Sequence, residues 1–190
     1  MARVRKPQPT QESVIFVTPE QKVLRLLISQ PTTSFNLRAI SSKLKGVRGL
    51  GGLEGINRIL VMLETLGMVN FVDNRRAARI QDDNSTVQIV KVLSSICELE
   101  GLKALLEPVS SKGILYGSRS TGRARSDSNY DLCIVSDQLE EIRKIASRHP
   151  MAKELALTVC TADEFAETER KDPELAAKLS RGVVLWGSTW

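Results

Sequence analysis

The segment that most constrains the fold of this chain is residues 113–135, with the sequence GILYGSRSTGRARSDSNYDLCIV. An apolar run leads into a Gly-Ser turn and a polar, basic loop, and a second apolar run with one acid, Asp131, follows. The pattern predicts two strands joined by a phosphate-binding turn, because Gly117 has no Cβ and Ser118 adds a hydroxyl donor to the backbone N–H groups. Asp131 on the second strand could hold a metal ion against the same phosphates.

This segment closely resembles the signature of the minimal nucleotidyltransferases, relatives of the DNA polymerase beta superfamily, in which a Gly-Ser turn precedes an Asp-x-Asp motif. Gly117, Ser118, Arg119 and Gly122 match the family's Gly-Ser-Arg-x-x-Gly. The stretch DPELAAKLSRGVVLWG also resembles the C-terminal end of these proteins, so the likeness covers about residues 112–187. It implies a small α/β domain with a mixed sheet that uses Mg²⁺ and a nucleoside triphosphate. The resemblance assigns Gly117, Ser118 and Arg119 to the nucleotide. The loop also carries Arg123 and Arg125, and its three arginines either cradle a triphosphate or polynucleotide or form a solvated loop between the strands.

Two departures from the family bear on catalysis. In the resembled enzymes three carboxylates hold two divalent ions between the attacking and leaving oxygens. Here Asn129 replaces the first Asp of the motif, and Ala156 stands where the third carboxylate is expected on a strand predicted at Leu155–Cys160. Glu154 is the nearest acidic substitute. Asp131 then remains the main metal ligand and Asn129 a weak, uncharged one, so we expect weakly held Mg²⁺, nucleotidyl transfer that is absent or very slow, and no assignable catalytic residue.

The first half of the chain predicts three short helices followed by a hairpin. A capping box at Thr18 begins the first helix, and the spacing of apolar residues predicts the others. The predicted elements are helices at about 18–31, 36–44 and 53–66 and strands at 68–73 and 77–81. This order, together with the run ILVMLETLGMV at 59–69, resembles a winged-helix domain over residues 18–82.

The winged-helix resemblance implies binding to double-stranded DNA, and the charge distribution agrees with it. Residues 1–82 contain 13 Lys and Arg against six Asp and Glu, whereas residues 83–190 contain 14 against 16. A basic first half beside a mildly acidic second half favours contact between the first half and a polyanion. A solvated basic surface, or a winged helix that docks a protein, is the alternative. The candidate DNA contacts are Lys43, Lys45, Arg48, Asn57, Arg58, Arg75, Arg76 and Arg79.

The remaining segments complete a predicted α+β fold in two domains. Residues 83–109 are predicted to form a linking helix, Thr86–Glu107, whose apolar positions exceed one narrow stripe and therefore suggest a homodimer interface. Residues 110–190 form the second domain. Residues 1–17 are predicted to be a flexible arm with a short strand at Val14–Val17.

Composition favours a soluble, cytoplasmic protein. The chain is 42% hydrophobic and 26% charged, as globular domains are. It has no apolar run near the roughly 20 residues that span a bilayer, and no apolar segment follows its basic N-terminus as in a signal peptide. Three widely spaced cysteines argue against a disulfide framework or a zinc site, and the two in predicted strands, Cys133 and Cys160, are expected to be small buried hydrophobes.

These observations predict a DNA-binding transcriptional regulator whose second domain is a degenerate nucleotide-sensing or dimerising unit. Two alternatives stay open. One is an active minimal nucleotidyltransferase that transfers a nucleotide to a toxin-type protein partner, as the antitoxins of this family do. The other is a structural adaptor in which neither site is used.

Overall fold

The computed structural model describes residues 9–188, which fold as an α+β protein with two separate sheets. The N-terminal part, residues 9–82, contains α1 (Gln11–Ile15), α2 (Pro19–Ser29), β1 (Phe35–Asn36), α3 (Leu37–Lys43), α4 (Gly52–Thr65), β2 (Val69–Val72) and β3 (Ala77–Ile80). Its three strands are antiparallel, in the order β1-β3-β2. Within the described residues no helix is both long and apolar enough to cross a bilayer.

Local capping and apolar spacing explain why the predicted helices and hairpin of this part are confirmed. The Thr18 side chain accepts a hydrogen bond from the Gln21 N–H, and the Gln21 side chain accepts one from the Thr18 N–H, so α2 begins with the predicted capping box. Asn36 caps α3 in the same way through the Ala39 N–H. One core then holds the helices against the sheet, and its buried members include Val23, Leu27, Ile40, Ile56, Leu60 and Ile80.

The strand predicted at Val14–Val17 is wrong, because Val14 and Ile15 belong to α1 and the two residues after them form no strand. Thr10 begins this helix by accepting from the Ser13 N–H at 3.2 Å, and the buried Phe16 ring lies 5.6 Å from the Arg25 guanidinium carbon. The predicted flexible arm lies partly in residues 1–8, outside the described residues. Strand β1 was not predicted, since two residues are too few to show a period.

The predicted single helix Thr86–Glu107 is also wrong, since it divides into α5 (Ser85–Glu98) and α6 (Glu100–Leu106). At Leu99 the backbone N–H is shared between the carbonyls of Ser95 and Ile96, at 3.3 and 3.2 Å. The division has a packing reason. Val87 at the start of α5 is buried in the first core, whereas Leu99 and two leucines of α6, Leu102 and Leu106, are buried in a second one.

The second sheet lies in the C-terminal part, residues 110–188. Its elements are β4 (Lys112–Tyr116), α7 (Gly117–Ser120), β5 (Tyr130–Val135), α8 (Leu139–Arg148), β6 (Leu155–Cys160), α9 (Ala162–Ala166), α10 (Thr168–Lys171), α11 (Pro173–Leu179) and β7 (Val183–Trp186). The strand order is β6-β5-β4-β7, with β5 and β6 parallel and the other pairs antiparallel. The mixed sheet is therefore confirmed, as are the two strands predicted within residues 113–135 and the strand predicted at Leu155–Cys160.

Each face of this sheet is covered by helices. Leu102 and Leu106 of α6 and Ile142 of α8 pack on one face, and Leu179 of α11 packs on the other. Cys133 is buried in this second face, as expected, while Cys160 at the sheet edge is half-buried. The end of β4 and the start of β5, where the predicted phosphate turn lies, thus belong to strands that are packed on both faces.

Candidate functional site

The Gly-Ser turn follows β4 directly and lies against the carboxylate of Asp131. Gly117 has φ +73°, in the left-handed region that favours glycine. A Cβ at this position would overlap the Asp131 carboxylate. The register explains the proximity, because Tyr116 at the end of β4 is the direct partner of Asp131 on β5.

Asp131 is half-buried, and its burial raises the pKa of its carboxyl above the ordinary value. The positive charges of Lys178 and Arg119 act in the opposite direction and lower it. Burial therefore disfavours the charged carboxylate, and any cation that binds beside it restores the charged form. A carboxylate in such surroundings can bind a cation weakly, or it can face a cation that is bound to a phosphate.

The neighbours of Asp131 contribute no second carboxylate. Ala156 on β6 is its direct partner in the sheet, so the position expected for a third carboxylate holds a methyl group. Asn129 is exposed and precedes β5. Glu154, the acidic substitute expected from the sequence, lines a cavity with Tyr130 on the opposite face of β5. Within residues 9–188 no three His, Cys, Asp or Glu side chains converge as a metal site.

The arginines predicted to cradle a nucleotide separate into two environments. Arg119 turns inward: its Nε and Nη2 donate to the Ser128 carbonyl at 3.1 and 2.8 Å, and its guanidinium lies 3.7 Å from the centre of the Tyr130 ring. Arg123 and Arg125 are exposed on the loop after α7. Only these two therefore present free guanidinium groups to a ligand from solvent.

Sequence inspection missed a polar cluster around Glu98, which connects the two parts of the chain. The Glu98 carboxylate accepts from Arg25 Nη2 of α2 at 2.6 Å and from the Tyr130 hydroxyl of β5, and Arg119 Nη1 lies 3.7 Å away. Burial, followed by the bond to Glu98, strongly raises the pKa of Tyr130. Beside this cluster lies a cavity of about 570 Å³, and Lys91, at 5% exposure, also lines it.

One signal in the sequence points to this cluster. Lys91 and Glu98 interrupt the apolar face of the linking helix seven residues apart, so both project from the same side of the helix. A charged side chain at a core-facing position is expected to pair with an opposite charge, and each of these two does so with a residue elsewhere in the chain. Their partners, however, come from segments far away in sequence, and no local pattern reveals them.

The candidate DNA contacts in the N-terminal part are exposed, with one difference in environment. Arg75 forms a two-pronged ion pair with Glu64 at 2.8 and 3.0 Å and stacks over Phe71 at 4.1 Å. This pairing raises the pKa of Arg75 and lowers that of Glu64. Within residues 9–188 the other six charged candidates form no ion pair, and neither does the exposed Arg38, which sequence inspection missed. The six are Lys43, Lys45, Arg48, Arg58, Arg76 and Arg79.

The exposed face of α4 changes character along its length. Asn57 and Arg58 are exposed in its first half, whereas Val61, Met62 and Leu66 are 40%, 42% and 61% exposed at its C-terminal end. The polar half is the one that follows the glycine-rich loop between α3 and α4, residues 44–51. The first half also exposes Leu53, at 43%, and Glu54, so Asn57 and Arg58 are the side chains of this half that suit a polyanion.

Comparison of the chain with models of known protein families gives no match, and comparison with curated proteins gives no significant match. Function therefore has to be inferred from the residues and their geometry.

Proposed function

We propose that this protein is a DNA-binding regulator whose N-terminal part is a winged-helix domain. The element order α2-β1-α3-α4-β2-β3 supports this, with α4 as the helix that enters the major groove and the β2–β3 hairpin as the wing. The three-stranded sheet supports it further, since β1 pairs with β3 and ties the hairpin to the helices. The C-terminal part is then a separate domain with a degenerate nucleotidyltransferase-like site.

The observation that carries this proposal is the unpaired positive charge of the N-terminal part. Seven exposed Lys and Arg side chains there form no ion pair within the described residues. Three of the acids that could neutralise them are engaged elsewhere: Glu12 with Arg25, Glu64 with Arg75, and Asp82 with the buried Lys91. Free cationic side chains on a small domain are the features that phosphate contacts require.

The contacts can be divided by role. Asn57 and Arg58 on the first half of α4 are placed to reach base edges, since the N-terminal residues of a recognition helix do so. Arg76 and Arg79 on the hairpin are backbone contacts, which add affinity without sequence preference. Arg75 is a positioning residue, because its pairing with Glu64 holds the hairpin turn against α4.

For the second domain we propose binding of a nucleotide phosphate without nucleotidyl transfer. The Gly117-Ser118 turn offers N–H and hydroxyl donors to a phosphate. Asp131 alone beside Ala156 supports weak Mg²⁺ binding, because one carboxylate cannot hold the two ions that transfer needs. No observation favours the two alternatives, transfer of a nucleotide to a toxin-type partner or a purely structural role.

Anisotropy of a fluorescent duplex tests the DNA proposal. The double variant Arg76→Glu/Arg79→Glu should weaken binding to every duplex at least tenfold, since it reverses two phosphate contacts. The matched control, Arg170→Glu/Lys171→Glu, reverses the same charge on α10, where both side chains pair with Glu167, and should weaken binding much less. An equal loss of affinity in both variants would show that the effect depends only on net charge. No loss in the hairpin variant would remove the wing from the interface.

A further inference from the structure

The loop between α7 and β5, residues 121–129, is fixed to α5. Lys91 Nζ on α5 donates to the Ala124 carbonyl at 2.7 Å. Gly122 lies so close to α5 that a Cβ there would overlap the Gln88 backbone. Within the loop, the Ser128 hydroxyl accepts from the Arg125 N–H at 2.9 Å, and the Ser128 N–H donates to the Arg125 carbonyl at 3.1 Å. The loop arginines are therefore displayed from a well-held backbone.

The same lysine also holds the base of the β2–β3 hairpin. Lys91 Nζ donates to Asp82 Oδ1 at 2.5 Å, and Asp82 lies two residues beyond the end of β3. At the other strand of the hairpin, Asn84 Nδ2 donates to the Gly67 carbonyl at 3.0 Å, just before β2. The buried ammonium group of Lys91 thus holds the 121–129 loop beside the base of the β2–β3 hairpin.

Around this junction three exposed arginines outnumber two exposed acids. Arg123 and Arg125 on the loop and Arg79 on β3 are exposed, and none of them forms an ion pair within the described residues. The charge of Asp82 is already neutralised by Lys91. Two exposed acids, Asp83 and Asp127, oppose the arginines here.

We propose that Arg123 and Arg125 contact the backbone of the same DNA duplex that the N-terminal part binds, so that the nucleic-acid surface continues onto the second domain. This inference rests on the proposed DNA binding. A hairpin with four paired residues per strand is about 13 Å long, and duplex DNA carries one phosphate charge per roughly 1.7 Å of axis. A duplex that lies along the hairpin therefore has phosphates beside the base of the hairpin, where the loop arginines lie.

The dependence of duplex affinity on salt measures this contact. Each lost phosphate contact should reduce the log–log slope by about 0.9, so Arg123→Ala/Arg125→Ala should reduce it by about one to two units. The control Arg170→Ala/Lys171→Ala removes the same charge from α10 and should leave the slope close to that of the parent protein. The pair Asp83→Asn/Asp127→Asn should raise affinity, because it removes the opposing charges.

The outcomes separate this inference from the function on which it rests. A parent protein that binds no duplex overturns both. A parent protein that binds, loses affinity in Arg76→Glu/Arg79→Glu, and keeps its slope in Arg123→Ala/Arg125→Ala overturns the inference alone. Loss of ATP binding in the loop variant with unchanged duplex binding also overturns it, since the arginines then serve only a free nucleotide. All variants replace exposed side chains, and circular dichroism verifies that each is folded.

Discussion

Replacement of Gly117 by alanine tests the geometry of the phosphate turn, and its cost can be divided into two parts. The first is backbone strain, because φ is +73°, where a Cβ costs about 1 kcal/mol relative to glycine. The second is the overlap between the new Cβ and the Asp131 carboxylate. Overpacking of this kind costs about 1 kcal/mol if the carboxylate rotates aside and about 3 if it cannot. We expect Gly117→Ala to reduce the free energy of unfolding by about 2–4 kcal/mol.

A second background isolates the overlap. In Asp131→Ala the carboxylate is absent, and the remaining Cβ of residue 131 would lie 3.4 Å from the new Cβ, an ordinary contact. Gly117→Ala should then cost only the strain, about 1 kcal/mol. The double-mutant cycle should therefore give a coupling of about 1–3 kcal/mol.

Urea unfolding of the four proteins measures this coupling. Gly46→Ala is the control, because Gly46 also has a positive φ, +91°, but nothing lies within 4 Å of its added Cβ. It should cost about 1 kcal/mol in either background. If Gly117→Ala costs the same with and without the Asp131 carboxylate, the carboxylate does not lie against the turn, and its assignment beside a bound phosphate fails.

Three further predictions concern charge, the polar cluster and assembly. Asp131→Asn should raise the melting temperature at pH 7, because burial raises the folded-state pKa of Asp131 and the carboxyl group's contribution to stability is lost as pH rises through that pKa. The gain should vanish below about pH 4, where the carboxyl is protonated in both states. A gain independent of pH would contradict this. Glu98→Gln should cost about 1–3 kcal/mol of unfolding free energy in urea, since Arg25 and the other donors lose an anionic acceptor, whereas Glu140→Gln, in an exposed pair, should cost less than about 0.5. Sedimentation should show a homodimer that Ile89→Glu dissociates, because Ile89 on α5 is 70% exposed; a monomer of the parent protein at every concentration would exclude it.

The elements that could be predicted from the sequence are those fixed by local chemistry. Thr18 and Thr161 each begin a helix through a capping box that four residues define. The resemblance to the nucleotidyltransferases implied that Ala156 stands at the position of the third carboxylate, and the register, which pairs Ala156 with Asp131, agrees with it. Local signals of this kind set most helix and strand boundaries.

The parts that escaped prediction depend on contacts between distant segments. The helix break at Leu99 lies where the chain passes from the first core, which buries Val87, to the second, which buries Leu102, and the periodicity of the sequence continues across it. The inward turn of Arg119 depends on Tyr130 and on the Ser128 carbonyl, which the motif alone does not reveal. The cluster at Glu98 likewise joins three segments that are separated by many residues.

The salt dependence of duplex binding tests the central claim, DNA recognition through free cationic side chains, most directly. The observed association constant should be measured for one duplex between about 50 and 200 mM salt, a range over which six or more phosphate contacts change affinity by about a thousandfold or more. Seven exposed, unpaired basic side chains in the N-terminal part predict a log–log slope of about −4 to −6 if most of them contact phosphates. A slope near zero, or no binding at the lowest salt concentration, would contradict the proposed function.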